Sequence, residues 1–189
     1  MQNLDENKKI LRKKLLEKRR NIQNKDEKDS AIAKHFLLRD DYINAEVILI
    51  YVSTDEEIST RGIIASAVEA GKKVFVPLCI GKCRMEFYKF TSFSELTVSK
   101  FGILEPNPKS SEKLEDFGNV LCVVPAISFD VERYRLGYGG GYYDRFIEGY
   151  DNKIKTISFC YEEMLSERLP RENHDKRVDM IITDRKEFK

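Results

Sequence analysis

Apolar and polar positions along this chain follow two rhythms, one suited to helices and one to buried strands. Over residues 7–25, Leu11, Leu15 and Ile22 fall on one stripe when residues are set about 100° apart, which predicts an amphipathic helix. Residues 26–38 predict a second helix, with Asp26 as N-cap and Ala31, Ile32 and Phe36 inward. Residues 46–52 are almost continuously apolar and β-branched, which predicts a strand covered on both faces. Residues 60–70 predict a helix closed by Gly71. A buried strand follows at 73–80, and an alternating strand at 85–90 belongs nearer an edge. The apolar runs at 120–125, 154–160 and 178–183 predict three further strands. A helix can start at Tyr142, and residues 161–170 read as a short helix or turn. Strands alternating with helices predict a single α/β domain over residues 1–189, with a largely parallel sheet and helices on both faces.

Composition narrows the picture without redirecting it. The 189 residues are 41% hydrophobic and 34% charged, with a formal net charge of +1, so overall charge gives no argument for a nucleic-acid partner. No apolar run approaches the roughly 18 residues of a membrane helix, and the charged N-terminus has no signal-peptide core. Cys122 and Cys160 fall in predicted strands and read as buried thiols, while Cys79 and Cys83 lack the second pair that a zinc site needs. These features lead to an expectation of a cytoplasmic protein with no membrane partner.

The chemistry concentrates in Arg135-Leu136-Gly137-Tyr138-Gly139-Gly140-Gly141-Tyr142-Tyr143-Asp144-Arg145. Glycines let backbone N–H groups turn toward an anion, and a helix start adds unpaired N–H groups at its positive end. Arg135 and Arg145 add charge, and Asp144 suits a hard cation held against phosphate oxygens. No Gly-Lys-Ser/Thr follows, so this is not a P-loop, and Tyr142 stands where a dinucleotide fingerprint needs its third glycine. A tight turn between core elements is the simpler reading of the glycines alone. On the first helix, Lys8, Arg12 and Arg19 form a second stripe beside the apolar seam, which predicts a phosphate-binding row. Lys13, Lys14, Lys18 and Arg20 scatter outward as a solvated face. The acidic cluster at 55–57, just past a strand end, either faces a ligand or caps the next helix. His35 reads as structural, and the His174-Asp175 pair is too weak a signal for acid–base catalysis.

The glycine stretch resembles the signature of the 5-formyltetrahydrofolate cyclo-ligase family, roughly R-[LF]-G-x-G-x-G-Y-Y-D-R, although a Lys often stands at the place of Gly140. Further blocks match in order. Lys8 and Arg12 match a K-x-x-x-R motif, and residues 50–53 and 57–60 look like the family's folate-contacting strand end. Residues 101–106 match F-G-I-x-E-P, where Glu105 either reaches the active site or pins the loop. Residues 174–183 match H-D-x-x-V-D-x-I-I-T. The resemblance implies a three-layer Rossmann-like fold (NagB/RpiA/CoA-transferase-like). It also implies ATP- and Mg²⁺-dependent conversion of 5-formyltetrahydrofolate to 5,10-methenyltetrahydrofolate by a monomeric enzyme. ATP would meet Lys8, Arg12, Arg135, Gly137, Gly139, Gly140, Gly141, Tyr142 and Tyr143. Folate would meet Val52, Glu57, Tyr138, Tyr142 and the same glycines at 139–141. Mg²⁺ would sit on Asp144 and Asp179, with Arg135 and Asp144 central to the chemistry. Two other readings compete: a non-catalytic nucleotide- or folate-binding paralogue, and a nucleic-acid module using the basic first helix and exposed tyrosines.

Overall fold

The computed structural model describes residues 2–100, 102–115, 118–150, 153–172 and 175–189; Phe101 and His174 therefore lie outside the described residues. Helix α1 spans Gln2–Arg20 and ends earlier than the periodicity predicts. Asn21 and Ile22 close it with i to i−3 bonds, and Asn24 then takes a left-handed conformation at φ 55°. That turn starts α2, Lys25–Leu37, so Asp26 lies in the first turn and Asn24 occupies the N-cap. A short α3, Asp40–Asn44, has no apolar period of its own and was not foreseen. Strand β1, Val47–Ile50, is buried throughout, as its composition requires. Helix α4, Arg61–Glu69, faces the core with Ile63, Ile64 and Ala67. Strands β2, Lys73–Gly81, and β3, Arg84–Lys89, form an antiparallel hairpin. Two-residue strands β4, Thr97–Val98, and β5, Leu104–Glu105, pair with each other. Glu105 pins its loop, since its carboxylate accepts the Cys79 amide at 3.2 Å.

Strand β6, Val120–Val123, is buried along its length. The chain then makes a small hairpin from β7, Ser128–Phe129, and β8, Arg135–Leu136, followed by α5, Tyr142–Gly149. Strands β9, Lys155–Phe159, β10, Met180–Ile182, and β11, Glu187–Phe188, complete the chain, with a 3₁₀ turn at Glu162–Met164. The seven-stranded sheet has the order β11-β10-β9-β6-β1-β2-β3. Its five inner strands are parallel and its edges, β3 and β11, are antiparallel. Connections β1–α4–β2 and β6–α5–β9 run in opposite directions across the sheet. Right-handed crossovers therefore place α4 and α5 on opposite faces. The order also reverses between β1 and β6, and open α/β sheets bind ligands beyond the carboxyl ends of strands at such a reversal. His35 is structural, with Nδ1 3.2 Å from the Thr183 carbonyl. Cys122 and Cys160 are buried, unpaired thiols, and burial pushes both up to about 12. Among the described residues no helix is long and apolar enough to cross a membrane.

Candidate active site

The apolar seam of α1 docks as its period demands: Leu15 is buried, and Leu11 and Ile22 pack against the core. Docking turns the Lys8, Arg12 and Arg19 stripe onto the glycine loop and its neighbours. Lys8 is only 6% exposed, and its Nζ donates to Asp175 Oδ2 at 2.7 Å and Glu172 Oε2 at 3.0 Å. Burial alone would weaken its hold on the proton, but the bonds and charges of Asp175 and Glu172 prevail and raise its pKa. Arg12 Nε donates to the Gly137 carbonyl at 2.9 Å. Its guanidinium lies along Gly139, where a side chain would bring Cβ to 3.4 Å from Arg12 Cζ and force φ +99° on an L-residue. Arg19 is 7% exposed and reaches further, donating from Nη1 to the Ala126 carbonyl at 3.3 Å and from Nη2 to the Tyr138 hydroxyl at 2.8 Å.

The turn from β7 to β8, which leads into the glycine loop, is set by Asp130, which is fully buried. Its Oδ1 accepts the amides of Glu132 and Tyr134, both at 3.0 Å, and its Oδ2 accepts the Leu169 amide at 3.0 Å. Sequence reading passed over Asp130; the signal was an Asp directly after an apolar strand end, where Asx side chains close turns. Arg135 is 4% exposed at its side chain and spends its fork on the protein. Nη2 donates to Asp144 Oδ1 at 2.6 Å and Nη1 to the Lys176 carbonyl at 2.7 Å. Burial lowers the Arg135 pKa, and the Asp144 charge opposes that shift. Asp144 stands in the first turn of α5, where the Lys176 amide also meets Oδ1 at 3.3 Å; its Oδ2 makes no hydrogen bond within the described residues. Gly141 caps this helix at φ +62°, and an added Cβ there would meet Arg145 at 2.8 Å. At Gly140 an added Cβ would fall 2.7 Å from the Tyr142 ring, whose hydroxyl donates to the Gly81 carbonyl at 3.2 Å.

At the carboxyl end of β1, Ser53 and Thr60 exchange side-chain and amide bonds at 3.1 Å, which sets the turn that carries Glu57. Glu57 Oε2 accepts the Thr54 amide at 2.9 Å and hydroxyl at 3.1 Å. Its Oε1 accepts the Tyr138 hydroxyl at 2.9 Å. A carboxylate, a phenol and a guanidinium thus form one line, Glu57–Tyr138–Arg19. Tyr138 is 53% exposed as a residue, yet its hydroxyl bonds inward to Glu57, and burial with the Glu57 charge pushes its pKa up. Beside this line a constricted pocket of about 10 Å³ opens at the carboxyl ends of β1, β6 and β9, with Tyr51, Pro125, Ala126 and Tyr161 in its walls. It coincides with the reversal of strand order.

The expected residues are gathered unevenly. Arg12, Glu57, Tyr138 and the glycines converge, and Arg19 lies at the pocket where a phosphate row was expected to extend. Val52 is 3% exposed and packs into the core, so its side chain offers little surface to a ligand. Tyr143 is half-buried; its hydroxyl is buried and makes no hydrogen bond within the described residues, and burial holds its pKa well above the ordinary value. Asp179 is exposed just before β10, and its Oδ2 accepts the Thr156 amide and hydroxyl, both at 2.7 Å. It shares no hydrogen-bonding partner with Asp144 among the described residues, and there no group of three or more His, Cys, Asp or Glu side chains is placed to hold a metal. The sequence did not reveal Glu172 and Asp175 as partners of Lys8, because these contacts span 164 and 167 residues.

Comparison with known proteins points to one family. The model of the 5-formyltetrahydrofolate cyclo-ligase family matches residues 4–184. A protein of Schizosaccharomyces pombe, described as a probable 5-formyltetrahydrofolate cyclo-ligase, is 30% identical over 175 residues, covering 85% of this chain and 86% of that relative. The 5-formyltetrahydrofolate cyclo-ligase of Escherichia coli K12 is 27% identical over 147 residues, covering 76% of this chain and 81% of the relative. Among solved structures, 5,10-methenyltetrahydrofolate synthetase of Aquifex aeolicus superposes with a TM-score of 0.79 at 28% identity, covering 95% of this chain and 91% of that one.

Proposed function

Because the chain belongs to the 5-formyltetrahydrofolate cyclo-ligase family, we propose that it closes 5-formyltetrahydrofolate to 5,10-methenyltetrahydrofolate while ATP is cleaved to ADP and phosphate. The observation that carries this reading is the meeting of Arg12 and the glycine loop with Glu57 at the point where the strand order reverses. One side offers cations and backbone amides to a polyphosphate. The other offers an acceptor-only carboxylate to the amino and ring N–H groups of a pterin.

The chemistry explains the parts. A formamide oxygen is a poor leaving group. The formyl oxygen attacks the γ-phosphorus of ATP and the bond to the β–γ bridging oxygen breaks, so ADP departs. N10 of the folate then attacks the activated formyl carbon. The carbon–oxygen bond breaks, phosphate leaves, and N10 gives up its proton as the ring closes. No protein nucleophile is needed. Phosphoryl transfer asks chiefly for position and charge neutralisation.

We assign the triphosphate to Arg12, the loop amides of Gly137, Gly139, Gly140 and Gly141, and Lys8 once it exchanges Asp175 and Glu172 for phosphate oxygens. Tyr142 and Tyr143 flank that site. Arg135 holds Asp144 through Oδ1, which leaves Oδ2 for Mg²⁺, and Asp179 keeps Oδ1 for the same purpose. One or two carboxylates with nucleotide phosphates and water make an ordinary Mg²⁺ shell, and the bound ion supplies charge neutralisation at the transferring group. Glu57, Tyr138, Tyr142 and the main chain at Val52 hold the folate. The reading extends to a single-domain monomer in the cytoplasm with a Rossmann-like three-layer fold, which the strand order supports.

The test is absorbance of the methenyl product after mixing the protein with 5-formyltetrahydrofolate and Mg²⁺, with and without ATP. Growth of the band only with ATP and Mg²⁺ is expected. Asp144→Asn keeps an oxygen for Arg135 and loses the charge, and it should cut turnover about a hundredfold or more. Undiminished turnover in that variant removes Asp144 from the metal site; no band from wild-type protein removes the ligase reading.

A further inference from the structure

One donor in the switch-point pocket is left unsatisfied by the protein. Arg19 is 7% exposed, and its Nε makes no hydrogen bond within the described residues. Its other two nitrogens are occupied by Ala126 and Tyr138. A buried N–H with no acceptor is rare in native proteins, and each such group calls for an explanation. Here the guanidinium lines the same pocket as Glu57, on the far side of the Tyr138 hydroxyl that joins them. The pocket, about 10 Å³ in volume, therefore sets one acceptor and one idle charged donor around room for a single oxygen-sized group.

A triphosphate is a poor fit for that pair. It would bring negative charge onto Glu57, and like charges brought together oppose binding. A reduced pterin fits better, because its amino and ring N–H donors sit beside a ring carbonyl oxygen, a donor–acceptor edge opposite in sense to the pocket. A pocket of about 10 Å³ admits one oxygen-sized group, so the carbonyl oxygen enters it and the ring body stays at its mouth.

We propose that Arg19 is a substrate-binding residue whose Nε donates to the ring carbonyl oxygen of the folate while Glu57 accepts the neighbouring N–H groups. Arg19 thereby leaves the phosphate row that its place on α1 suggests and becomes a determinant of pterin recognition. This rests on the folate reading above and adds a residue and a contact to it.

The test is equilibrium dialysis of 5-formyltetrahydrofolate, without ATP, against wild type, Arg19→Met and Arg19→Lys, with nucleotide binding measured in parallel. The expected result is folate binding weakened about ten- to a hundredfold in Arg19→Met, the range for a bond to a charged group, with ATP affinity within about twofold of wild type. Arg19→Lys keeps the charge and the stem but lacks Nε, so it should also weaken folate, and it remains readable where Arg19→Met does not fold. An analogue with an amino group in place of the ring carbonyl sharpens the result. Wild type should prefer the carbonyl form, and that preference should shrink in Arg19→Met to what Glu57 alone gives through the ring N–H that the analogue also loses. Wild-type folate affinity in both variants, or a loss of ATP binding with folate unchanged, overturns the assignment while the ligase reading stands. Failure of wild-type protein to bind any folate overturns both.

Discussion

Glu57 accepts from three groups at once, two on Thr54 and one on Tyr138, and still lines the pocket. Glu57→Gln turns one acceptor oxygen into a donor of nearly the same shape. The KM for folate should rise about tenfold or more, with the KM for ATP unchanged, because the lost bonds are to a charged group on the folate side only. A rise confined to the KM for ATP would show that this carboxylate faces the nucleotide. At this scale the sequence was legible where chemistry is local. The glycines at 139 and 141 need positive φ, and both have it. Legibility ended where partners are distant in sequence. A basic stripe on α1 announces cations, but nothing nearby says that Lys8 is met by Glu172 and Asp175, or that Arg19 outreaches Arg12 to the pocket.

Between elements, α2 is fastened to the pocket wall by Asp29. Its Oδ1 accepts the Tyr161 hydroxyl at 2.5 Å, and its Oδ2 accepts Lys25 Nζ at 2.6 Å and the Ser59 amide at 3.1 Å. Asp29 is 7% exposed and Tyr161 1% exposed, so their groups have no water to fall back on. Asp29→Ala should lower unfolding free energy by about 1–3 kcal/mol, the cost of leaving a buried donor such as the Tyr161 hydroxyl without its acceptor. Denaturant unfolding measures this, and a loss within about 0.5 kcal/mol, the scale of a neutral surface change, would mean the network is dispensable. Helix α1 could be read from its apolar period, and β1 and β9 from their apolar runs. The short ones could not: α3, β7 and β8 are too brief to show a period, and the turn that joins β7 to β8 is set by Asp130. The start of α2 was misplaced for a similar reason, since Asn24 begins the helix through a left-handed backbone and no side-chain cap.

Across the whole molecule, the largely parallel sheet was legible from fully apolar strands, but the order of the strands was not. Which strand neighbours β1 depends on long-range pairing, and that pairing creates the switch point on which the site rests. On the opposite edge, Asp41 joins α3 to β9 through Lys155 and also binds Arg39, which reaches Glu187 on β11 at 2.5 Å. Burial would raise the Asp41 pKa, but hydrogen bonds from Lys155 and Arg39 outweigh it and hold the carboxyl below its ordinary 3.8. A carboxyl lowered by folding stabilises fully above its unfolded value and loses that contribution as pH falls through the folded one. Stability should therefore drop below about pH 3.8, and the drop should be shallower in Asp41→Asn. Equal acid profiles by thermal melting would remove Asp41 from the acid response.

The central claim is that the formyl oxygen takes the phosphoryl group before ring closure. The most direct measurement uses 5-formyltetrahydrofolate labelled with heavy oxygen in the formyl group, together with unlabelled ATP and ordinary water. Mass analysis of the released phosphate should find the heavy oxygen in it, one per turnover. Unlabelled phosphate, with the heavy oxygen released to water, would mean that ATP cleavage does not activate that oxygen and would contradict the account.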